Sequence, residues 1–230
     1  MFRKVAVLSL ALALLAAMPG TILARSNHAT LINIHVTHAR PGPATANCSN
    51  AGTGGGGYEL LSWKVAGNTT ARLNANTVPS GLSNVAAVLD SSFDAWSGAS
   101  NAPDIDVVIG GTVTKATANH SYDLMWGRAG GSSIAVTYTW RWSNGEVESD
   151  TVFNNRLPWF IAGAEGDGCV ESQAKYDVAN IATHEFGHTY GLGHAAGGRW
   201  ETMYPYGFTG ETLKRSLGSG DIAGVRALYS

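Results

Sequence analysis

The chain has 230 residues, of which 44% are hydrophobic and 14% charged, and its formal net charge is -2. A charged fraction this far below the roughly 25% of ordinary soluble domains excludes disorder driven by charge. Because there is no basic excess, we expect no nucleic-acid partner. The length predicts about one domain once an N-terminal export signal is set aside.

The first 24 residues are typical of a secretory signal peptide. Arg3 and Lys4 precede an apolar run from Val5 to Met18, and a small-residue site ends at Ala24. The run is shorter than the roughly 20 residues that span a bilayer. We therefore expect cleavage after Ala24, secretion and no stable membrane anchor. An uncleaved anchor is the weaker alternative.

Two cysteines follow the export signal. Secretion would place Cys48 and Cys169 in an oxidising compartment, where they can form a disulfide. Such a bridge would close a loop of about 120 residues and stabilise the fold by roughly 4 to 5 kcal/mol in the chain-entropy model. Two unpaired thiols are the alternative.

Residues 25–57 differ in composition from the rest of the chain. A short strand is predicted from the apolar residues Leu31, Ile32, Ile34 and Val36. Prolines and a run of four glycines at 54–57 then break regular structure. We interpret 25–57 as an N-terminal leader or linker, and it remains open whether it is a removable prosegment.

From Tyr58 onward the pattern predicts an α+β domain that extends to residue 230. Strand-like segments rich in β-branched and aromatic residues lie at Tyr58–Val65, Thr70–Leu73, Ile105–Ile109, Tyr122–Trp126, Ile134–Trp142 and Val147–Phe153. Polar N-caps and a period of 3.6 residues predict three helices. These begin after Ser83, after Asp177 (Val178 to about Tyr190) and after Ser219 (Gly220–Tyr229).

The second predicted helix carries a metal-binding pattern. His184 and His188 stand four residues apart, so their rings share one helix face and can approach one ion. Glu185 lies about 100° around the helix, where its carboxylate can reach a water on the metal without being a ligand. Gly191 can take the left-handed conformation that ends the helix and returns His194 to the same ion.

Three neutral imidazoles leave one tetrahedral position open for water, which is the arrangement of a catalytic zinc site. A structural zinc would need a fourth protein ligand. Histidines that only pack on an amphipathic helix are the alternative interpretation, but five specified residues at fixed spacing make it weak.

The segment His-Glu-Phe-Gly-His-Thr-Tyr-Gly-Leu-Gly-His at 184–194 closely resembles the metzincin metalloendopeptidases, and among them the matrixins. Thr202–Pro205 is similar to their Met-turn, and Leu217–Tyr229 to their last helix. The resemblance implies a zincin-like α+β catalytic domain over 58–230. That domain has a twisted, mostly parallel sheet with an antiparallel edge strand, an active-site helix, a Met-turn and a C-terminal helix.

The resemblance also implies the roles of single residues. His184, His188 and His194 would bind one catalytic zinc, Glu185 would act as the general base, and Met203 would support the metal from below. An extended substrate would lie along the edge strand near residues 134–139. The family has Pro-x-Tyr as one wall of its main specificity pocket, whereas here Pro205 is followed by Tyr206, Gly207 and Phe208. We expect Tyr204, Pro205 and Tyr206 to border the substrate pocket of this chain.

Two departures from the family pattern concern additional metals. The histidines that hold a structural zinc in matrixins are missing from 131–137 and 150–154, so we expect no second zinc. His120 alone cannot make one and is expected to be an exposed loop histidine. Carboxylates with the potential to help hold calcium are Asp104, Asp106, Asp123 and Asp150. Scattered carboxylates are usually only solvated, so calcium is left open.

A third departure concerns latency. Latent matrixins hold a prosegment cysteine on the zinc, whereas Cys48 lies in Asn-Cys-Ser and lacks that context. His28, His35 and His38 could occupy a zinc transiently. A strand with alternating polar residues explains two of these histidines equally well.

The sequence therefore predicts a secreted, monomeric zinc endopeptidase that acts on extracellular proteins or peptides. One alternative is a secreted zinc-binding protein of the same fold without turnover. Another is a zinc hydrolase of a non-peptide bond, which the His-Glu-x-x-His core alone would permit.

Overall fold

The computed structural model describes residues 27–40, 57–165, 174–195 and 198–230. The strands are β1 (Ala29–Ala39), β2 (Thr69–Leu73), β3 (Ile105–Ile109), β4 (Tyr122–Gly127), β5 (Ser133–Trp142), β6 (Val147–Asn154), β7 (Trp159–Phe160), β8 (Tyr176–Asp177) and β9 (Tyr206–Gly207). The helices are α1 (Val85–Ser97), α2 (Val178–Tyr190) and α3 (Ser219–Leu228), with short 3₁₀ turns at Ala75–Thr77 and Leu213–Arg215.

Seven strands form one sheet in the order β3-β2-β4-β6-β5-β1-β9, and β7 pairs with β8 separately. Strands β2, β3, β4 and β6 are mutually parallel, while β5 runs antiparallel to β6. This confirms the predicted α+β fold, in which the sheet is mostly parallel and has an antiparallel strand, β5, next to the parallel strands. Two strands that the sequence did not place there, β1 and β9, extend the sheet beyond β5.

The core lies between the sheet and the helices α1 and α2. Phe93 of α1 stacks on Phe186 of α2 with 3.6 Å between ring centroids. The indole of Trp96 donates a hydrogen bond to the carbonyl of Thr183 at 2.9 Å. Both residues of α1 belong to its predicted 3.6-residue apolar stripe, which is why this face turns toward α2.

The N-termini of α1 and α3 differ slightly from the prediction. Helix α1 is preceded by Asn84, which has φ 57° and makes no side-chain cap, so the predicted cap at Ser83 is wrong. Helix α3 already includes Ser219, and its N-cap is Gly218. The amide of Gly218 donates to the carboxylate of Asp221 at 2.9 Å, so the acid provides the cap that was assigned to the serine.

The predicted strand Tyr58–Val65 is wrong. Its only ladder contact among the described residues is an isolated bridge between Leu60 and Leu192. The amide of Leu61 donates to Gly191 at 2.8 Å, and that of Gly193 donates to Glu59 at 2.8 Å. These backbone groups hold the turn after α2 and are therefore not available to a sheet.

Strand β1 comes from the segment interpreted as a leader or linker. The predicted short strand is 11 residues long and pairs with β5 from Ala29 opposite Trp142 to His38 opposite Ser133. Part of the segment 25–57 is thus built into the sheet. No helix in the described ranges is both long and apolar enough to cross a bilayer.

Candidate active site

Helix α2 carries the first two histidines of the motif in the middle of the domain. The side chain of Asp177 caps its N-terminus by accepting the amide of Asn180 at 2.9 Å. All 13 residues of α2 are buried. His184 and His188 are one turn apart on the same face, with 5.0 Å between their ring centroids.

A left-handed glycine brings the third histidine to the same place. Gly191 ends α2 with φ 105°, and a Cβ there would lie 2.2 Å from the carbonyl oxygen of Trp63. Only glycine fits this turn. As a result, the ring centroid of His194 lies 5.3 Å from that of His184 and 4.8 Å from that of His188.

A fourth histidine reaches the cluster from β1. The ring of His35 stacks on that of His188, with 3.9 Å between centroids and 13° between planes, and lies edge-on to His194 at 5.4 Å. The ligand atoms of His35, His188 and His194 all lie within 4.8 Å of one another. The sequence grouped His184 with the latter two. The structure brings all four rings to one place, and the trio with ligand atoms within 4.8 Å of one another contains His35 and not His184.

Backbone carbonyls fix the orientation of two rings. Nδ1 of His184 lies 2.6 Å from the carbonyl oxygen of Thr202, and Nδ1 of His188 lies 2.7 Å from that of Leu192. Because a carbonyl can only accept, both Nδ1 atoms carry the hydrogen, and each Nε2 is left with a lone pair. Burial lowers the pKa of both rings well below the usual value, which favours this neutral, ligating form.

The residues present fit a zinc ion. Nε2 of His188 and Nε2 of His194 are 3.2 Å apart, close to the roughly 3.3 Å expected for two tetrahedral ligands at 2.0 to 2.1 Å from zinc. The buried Nε2 atoms of His184 and His35 have no hydrogen-bond partner within the described residues. An unpaired buried polar atom costs about 1 to 3 kcal/mol. A shared metal ion would give both atoms a partner.

Glu185 lies beside this cluster with both carboxylate oxygens in hydrogen bonds. The hydroxyl of Thr37 donates to Oε1, and the hydroxyl of Thr137 donates to Oε2, each at 2.6 Å. Burial raises the pKa of Glu185 to about 7, although both hydroxyls act in the opposite direction. With a pKa in this range, the carboxylate of Glu185 can exchange a proton near neutral pH.

Neither threonine could be selected from the sequence. Thr37 and Thr137 lie on the adjacent strands β1 and β5, and both are fully buried. Serine and threonine are common in this chain, and only the pairing of the two strands shows which hydroxyls face Glu185. His35 was considered as a ligand, but its pattern was equally typical of an ordinary strand.

Met203 packs against the backbone of α2 at Gly187. It is buried, and a Cβ on Gly187 would lie 2.3 Å from its Sδ and 2.6 Å from Cζ2 of Trp96. The glycine inside the His-Glu-Phe-Gly-His motif therefore lets the methionine and the tryptophan approach the helix backbone. Its role as a support for the metal stays a prediction.

The Met-turn is anchored by α3. Oδ2 of Asp221 accepts the amide of Thr202 at 2.5 Å, and Oδ1 accepts the amide of Met203 at 3.1 Å. Since the carbonyl of Thr202 in turn holds the ring of His184, Asp221 is connected to the cluster through a single peptide unit. The sequence assigned Asp221 only to the last helix.

The three predicted pocket residues line the end of β1. The carbonyl of Pro205 accepts the amide of His38 at 3.0 Å, and Tyr206 belongs to β9, which runs parallel to β1. The hydroxyl of Tyr204 accepts a hydrogen bond from Arg40 at 2.9 Å. These residues border the cleft in which β1 lies, and their role in substrate selection stays a prediction.

The acids suggested for calcium do not share one environment. Asp104 and Asp106 are exposed, whereas Asp123 and Asp150 are buried. The carboxylate of Asp150 accepts the amides of Thr117 at 2.8 Å and Asp123 at 3.0 Å. Because both oxygens of Asp150 already accept hydrogen bonds from backbone amides, Asp150 gives no support to a calcium site.

His120 is exposed, as expected, but it is not alone. Its Nδ1 lies 3.0 Å from Oε2 of Glu146, and ligand atoms of both residues lie within 4.8 Å of one on Glu148. The carboxylate of Glu148 already accepts the amides of Asn119 and His120 and the indole of Trp142. Glu148 is thus satisfied within the protein, and the absence of a second zinc stays a prediction.

Several sequence predictions concern residues outside the described ranges. These are the signal peptide at 1–24, Cys48 and Cys169.

A buried His-Glu-x-x-His helix, a third histidine after a glycine turn and a methionine turn beneath the helix define a metzincin-type metallopeptidase domain. A family model described as Matrixin matches residues 61–230. A human protein, "Matrix metalloproteinase-25", is 32% identical over 85 residues, which cover 36% of this chain and 14% of that protein. The chain belongs to the matrixin family.

Proposed function

We propose that this protein is a secreted zinc-dependent endopeptidase that hydrolyses internal peptide bonds of extracellular proteins or peptides. The proposal depends on one observation, the cluster of His184, His188 and His194 beside the buried carboxylate of Glu185. Membership of the matrixin family supports a metallopeptidase at the coarser level. The human relative is matched over only 14% of its length, so substrate and cleavage preference are not transferred from it.

His184, His188 and His194 would hold the ion through their Nε2 atoms. A zinc ion held by three imidazoles lowers the pKa of its water from 15.7 to about 7 and polarises the carbonyl of the bond to be cut. The carbonyls of Thr202 and Leu192 keep two of the rings in the ligating tautomer. Such outer partners typically contribute 10- to 100-fold in metal affinity or activity.

Glu185 would act as the general base and then as the general acid. Its carboxylate takes a proton from the attacking water and passes it to the leaving amine, an exchange worth roughly 10² to 10⁴ in rate. The raised pKa of Glu185, about 7, suits both directions of transfer. The hydroxyl of Thr137 donates a hydrogen bond to Oε2 of Glu185 at 2.6 Å. Oε1 can therefore accept the proton of the water when no other group donates to it.

A peptide substrate would add a strand beside β5, with its main chain bonded to the edge of β5 that faces away from β6. Tyr204, Pro205 and Tyr206 lie at the end of this path and would shape the main specificity pocket. In the structure the same path is taken by β1.

Secretion is proposed from residues 1–24, whose composition is that of a signal peptide. In an oxidising compartment Cys48 and Cys169 would be joined by a disulfide. N-terminal sequencing of the secreted protein tests the cleavage after Ala24, and a mass shift upon reduction and alkylation tests the bridge.

The first experiment compares the secreted chain with Glu185→Gln. We expect hydrolysis of a quenched fluorescent peptide to stop with a chelator and to return with zinc. Glu185→Gln should keep one zinc per chain but lose about a hundredfold in rate, because the proton acceptor is gone. As a matched control, His194→Ala should lose zinc together with activity. Equal rates in the wild type and Glu185→Gln would refute the assigned base.

Digestion of casein and gelatin separates the peptidase from the two rivals. A zinc-loaded protein that cleaves neither of them, and no synthetic peptide, would be a binding protein of this fold. Product analysis on mixed substrates would reveal hydrolysis of a bond other than a peptide bond.

A further inference from the structure

Strand β5 carries a row of aromatic side chains on the face of the sheet that points away from the metal cluster. Tyr138, Trp140 and Trp142 are each two residues apart, so their side chains share one face of the strand. Thr137, the residue before this row, reaches Glu185 on the other face. All three aromatic residues are only partly buried. The row is therefore accessible to a ligand on the side of the sheet opposite Glu185.

Contacts between rings hold the aromatic row in place. The rings of Tyr138 and Trp140 are 6.1 Å apart with 21° between their planes. The ring of Trp142 stacks on that of His120 at 3.5 Å, and its indole donates a hydrogen bond to Glu148 at 2.8 Å. Because the rings lie on a paired strand, they present a preformed aromatic surface.

Exposed aliphatic side chains of β1 extend this surface. Leu31 lies opposite Trp140 and Ile34 opposite Tyr138, and residues paired in this way share a face of the sheet. Leu31 is 43% exposed and Ile34 is 50% exposed. Adjacent exposed apolar side chains with polar groups at their border are typical of a binding surface.

Tyr138 also lines a cavity of about 770 Å³. The lining includes Val152 from the sheet and residues 114–116 from the connection between β3 and β4. This volume lies within the range of roughly 300 to 1,000 Å³ that is usual for pockets that bind small organic molecules. The cavity is therefore large enough for one or more units of an organic ligand that also covers Tyr138.

Hydrogen bonds fix the connection that forms one wall of the cavity. The carbonyl of Val113 accepts a hydrogen bond from the side chain of Asn74 at 2.8 Å. The amide of Thr117 donates to the buried carboxylate of Asp150 at 2.8 Å. Both ends of the wall are thus attached to the sheet, and the cavity is part of the folded structure.

The cavity is lined by two cationic side chains and by no acidic side chain among the described residues. Lys115 and Arg128 are both exposed, and neither forms an ion pair within the described ranges. The other polar lining residues are neutral, namely Asn76, Thr77, Thr114, Tyr138 and Asn155. Unpaired cations favour an anionic group, and neutral amides and hydroxyls can bind alcohol groups.

The acidic side chains lie at the other end of the aromatic row. Glu146 and Glu148 are close to His120, which stacks on Trp142. An anionic group is therefore favoured at the cavity and disfavoured near Trp142. Two cations among neutral groups match a sparsely charged chain better than a densely sulfated one.

We propose that the cavity and the aromatic row bind a polysaccharide that contains uronic acid units. A sugar carboxylate would lie at Lys115 and Arg128, where a guanidinium can bind it through two parallel hydrogen bonds. The apolar C–H faces of neighbouring sugar rings would stack on Tyr138 and Trp140. This inference goes beyond the proposed function, because the site lies on the opposite face and leaves the metal cluster free while the protein is held on such a chain.

Isothermal titration calorimetry tests the binding on the full chain with Glu185→Gln, so that proteolysis does not enter the measurement. The ligands are an oligogalacturonate, its uncharged methyl ester and dextran sulfate. We expect saturable binding of the oligogalacturonate and a Kd about tenfold or more higher for the ester. No saturable binding, or an equal Kd for the ester, would overturn the proposal. Tighter binding of dextran sulfate would overturn the choice of a carboxylate.

The aromatic part of the site is tested with Trp140→Ala. This variant should raise the Kd for the oligogalacturonate and for its ester by about tenfold or more, because both lose the stacking surface. Trp200→Ala removes a partly buried tryptophan outside the site and should bind as the parent does. An unchanged Kd in Trp140→Ala would overturn the role of the row. Binding of gelatin that depends on Trp140, without binding of the sugar, would identify a protein docking surface instead.

The charged part is tested with the double variant Lys115→Gln and Arg128→Gln. Both side chains are exposed, so the variant should fold even if Trp140→Ala does not. We expect about tenfold or more weaker binding of the oligogalacturonate and no change for the ester. The control with the same change in charge is Lys175→Gln with Arg199→Gln, at two exposed positions outside the cavity. Equal binding by the two double variants would overturn the carboxylate site.

The failure of this inference can be distinguished from the failure of the proposed function. Binding of the oligogalacturonate by a protein that cleaves no peptide would contradict the endopeptidase alone. Peptide cleavage by a protein that does not bind the oligogalacturonate would contradict the polysaccharide site alone.

Discussion

At the scale of single residues, the carboxylate proposed as the general base accepts a hydrogen bond from a threonine that no motif contains. The hydroxyl of Thr137 holds Oε2 of Glu185 at 2.6 Å from a fully buried position. Unlike Thr37, this threonine belongs to β5 and would stay in the site after β1 leaves. It is the positioning residue of the proposed base.

We expect Thr137→Val to lower kcat by about tenfold or more, because a hydrogen bond to a charged group is worth roughly 1.5 to 3 kcal/mol. The zinc content of this variant should not change. Thr139→Val is the matched control, since its hydroxyl pairs with Ser149 at 2.9 Å and not with the base. An unchanged kcat would show that Thr137 does not position Glu185.

The sequence predicted the motif residues because their spacing carries the geometry. His184, His188 and the turn at Gly191 follow from helix periodicity and from the left-handed glycine. Thr37 and His35 could not be assigned in this way. Their roles arise from a strand pairing between segments about a hundred residues apart in the chain, and local pattern does not determine such pairing.

At the scale of elements, α3 supports the metal cluster although it does not reach it. Asp221 binds the amides of Thr202 and Met203, and the carbonyl of Thr202 orients His184. Loss of the carboxylate would leave two buried amides unpaired and free the turn.

We therefore expect Asp221→Ala to weaken zinc binding by roughly 10- to 100-fold, as is typical when an outer partner of a ligand is lost. Zinc affinity is measured by competition with a chromophoric chelator. Asp106→Ala, at an exposed position on β3, is the control and should bind zinc as the wild type does. If Asp221→Ala retained the wild-type affinity, the connection from α3 through the Met-turn would be refuted.

The regular elements were predictable where their pattern is local. Helix α2 matches its predicted bounds at Val178 and Tyr190, because Asp177 and Gly191 give clear start and stop signals. The segment 58–65 has a strand-like pattern but no partner strand, since its backbone groups hold the turn after α2. The sequence showed a strand in β1 and gave no sign of where it pairs.

At the scale of the whole molecule, a buried acid within strand β6 makes the stability depend on pH. Burial, and after it the neighbouring carboxylates of Asp123 and Glu148, raise the pKa of Asp150 to about 8, against the amides of Thr117 and Asp123. The folded state therefore keeps a proton that the unfolded chain releases near pH 4.

The contribution of Asp150 to stability is fully present below the unfolded pKa and is lost as the pH rises through about 8. We expect the free energy of unfolding of the wild type to fall with pH between 6 and 8, by on the order of 1 kcal/mol per pH unit relative to Asp150→Asn. Urea titrations of both proteins at fixed zinc concentration measure the difference in slope. Parallel pH profiles would contradict a protonated Asp150.

The fold class followed from composition, element order and the resemblance, and the sheet confirms it. The position of β1 beside β5 could not be predicted in this way. A glycine- and proline-rich stretch separates β1 from the domain that begins at residue 58, and this stretch suggested a linker. The long-range pairing of β1 with β5 and β9 could not be predicted from the sequence.

Because β1 belongs to the same chain as the cleft, its local concentration does not fall when the protein is diluted. An external peptide competes with this tethered strand, so its apparent Michaelis constant equals the intrinsic constant divided by the fraction of molecules in which the strand has left the cleft. One cut anywhere between Arg40 and Gly57 would make β1 a separate peptide. Once that peptide has dissociated and been removed by washing, it cannot bind again.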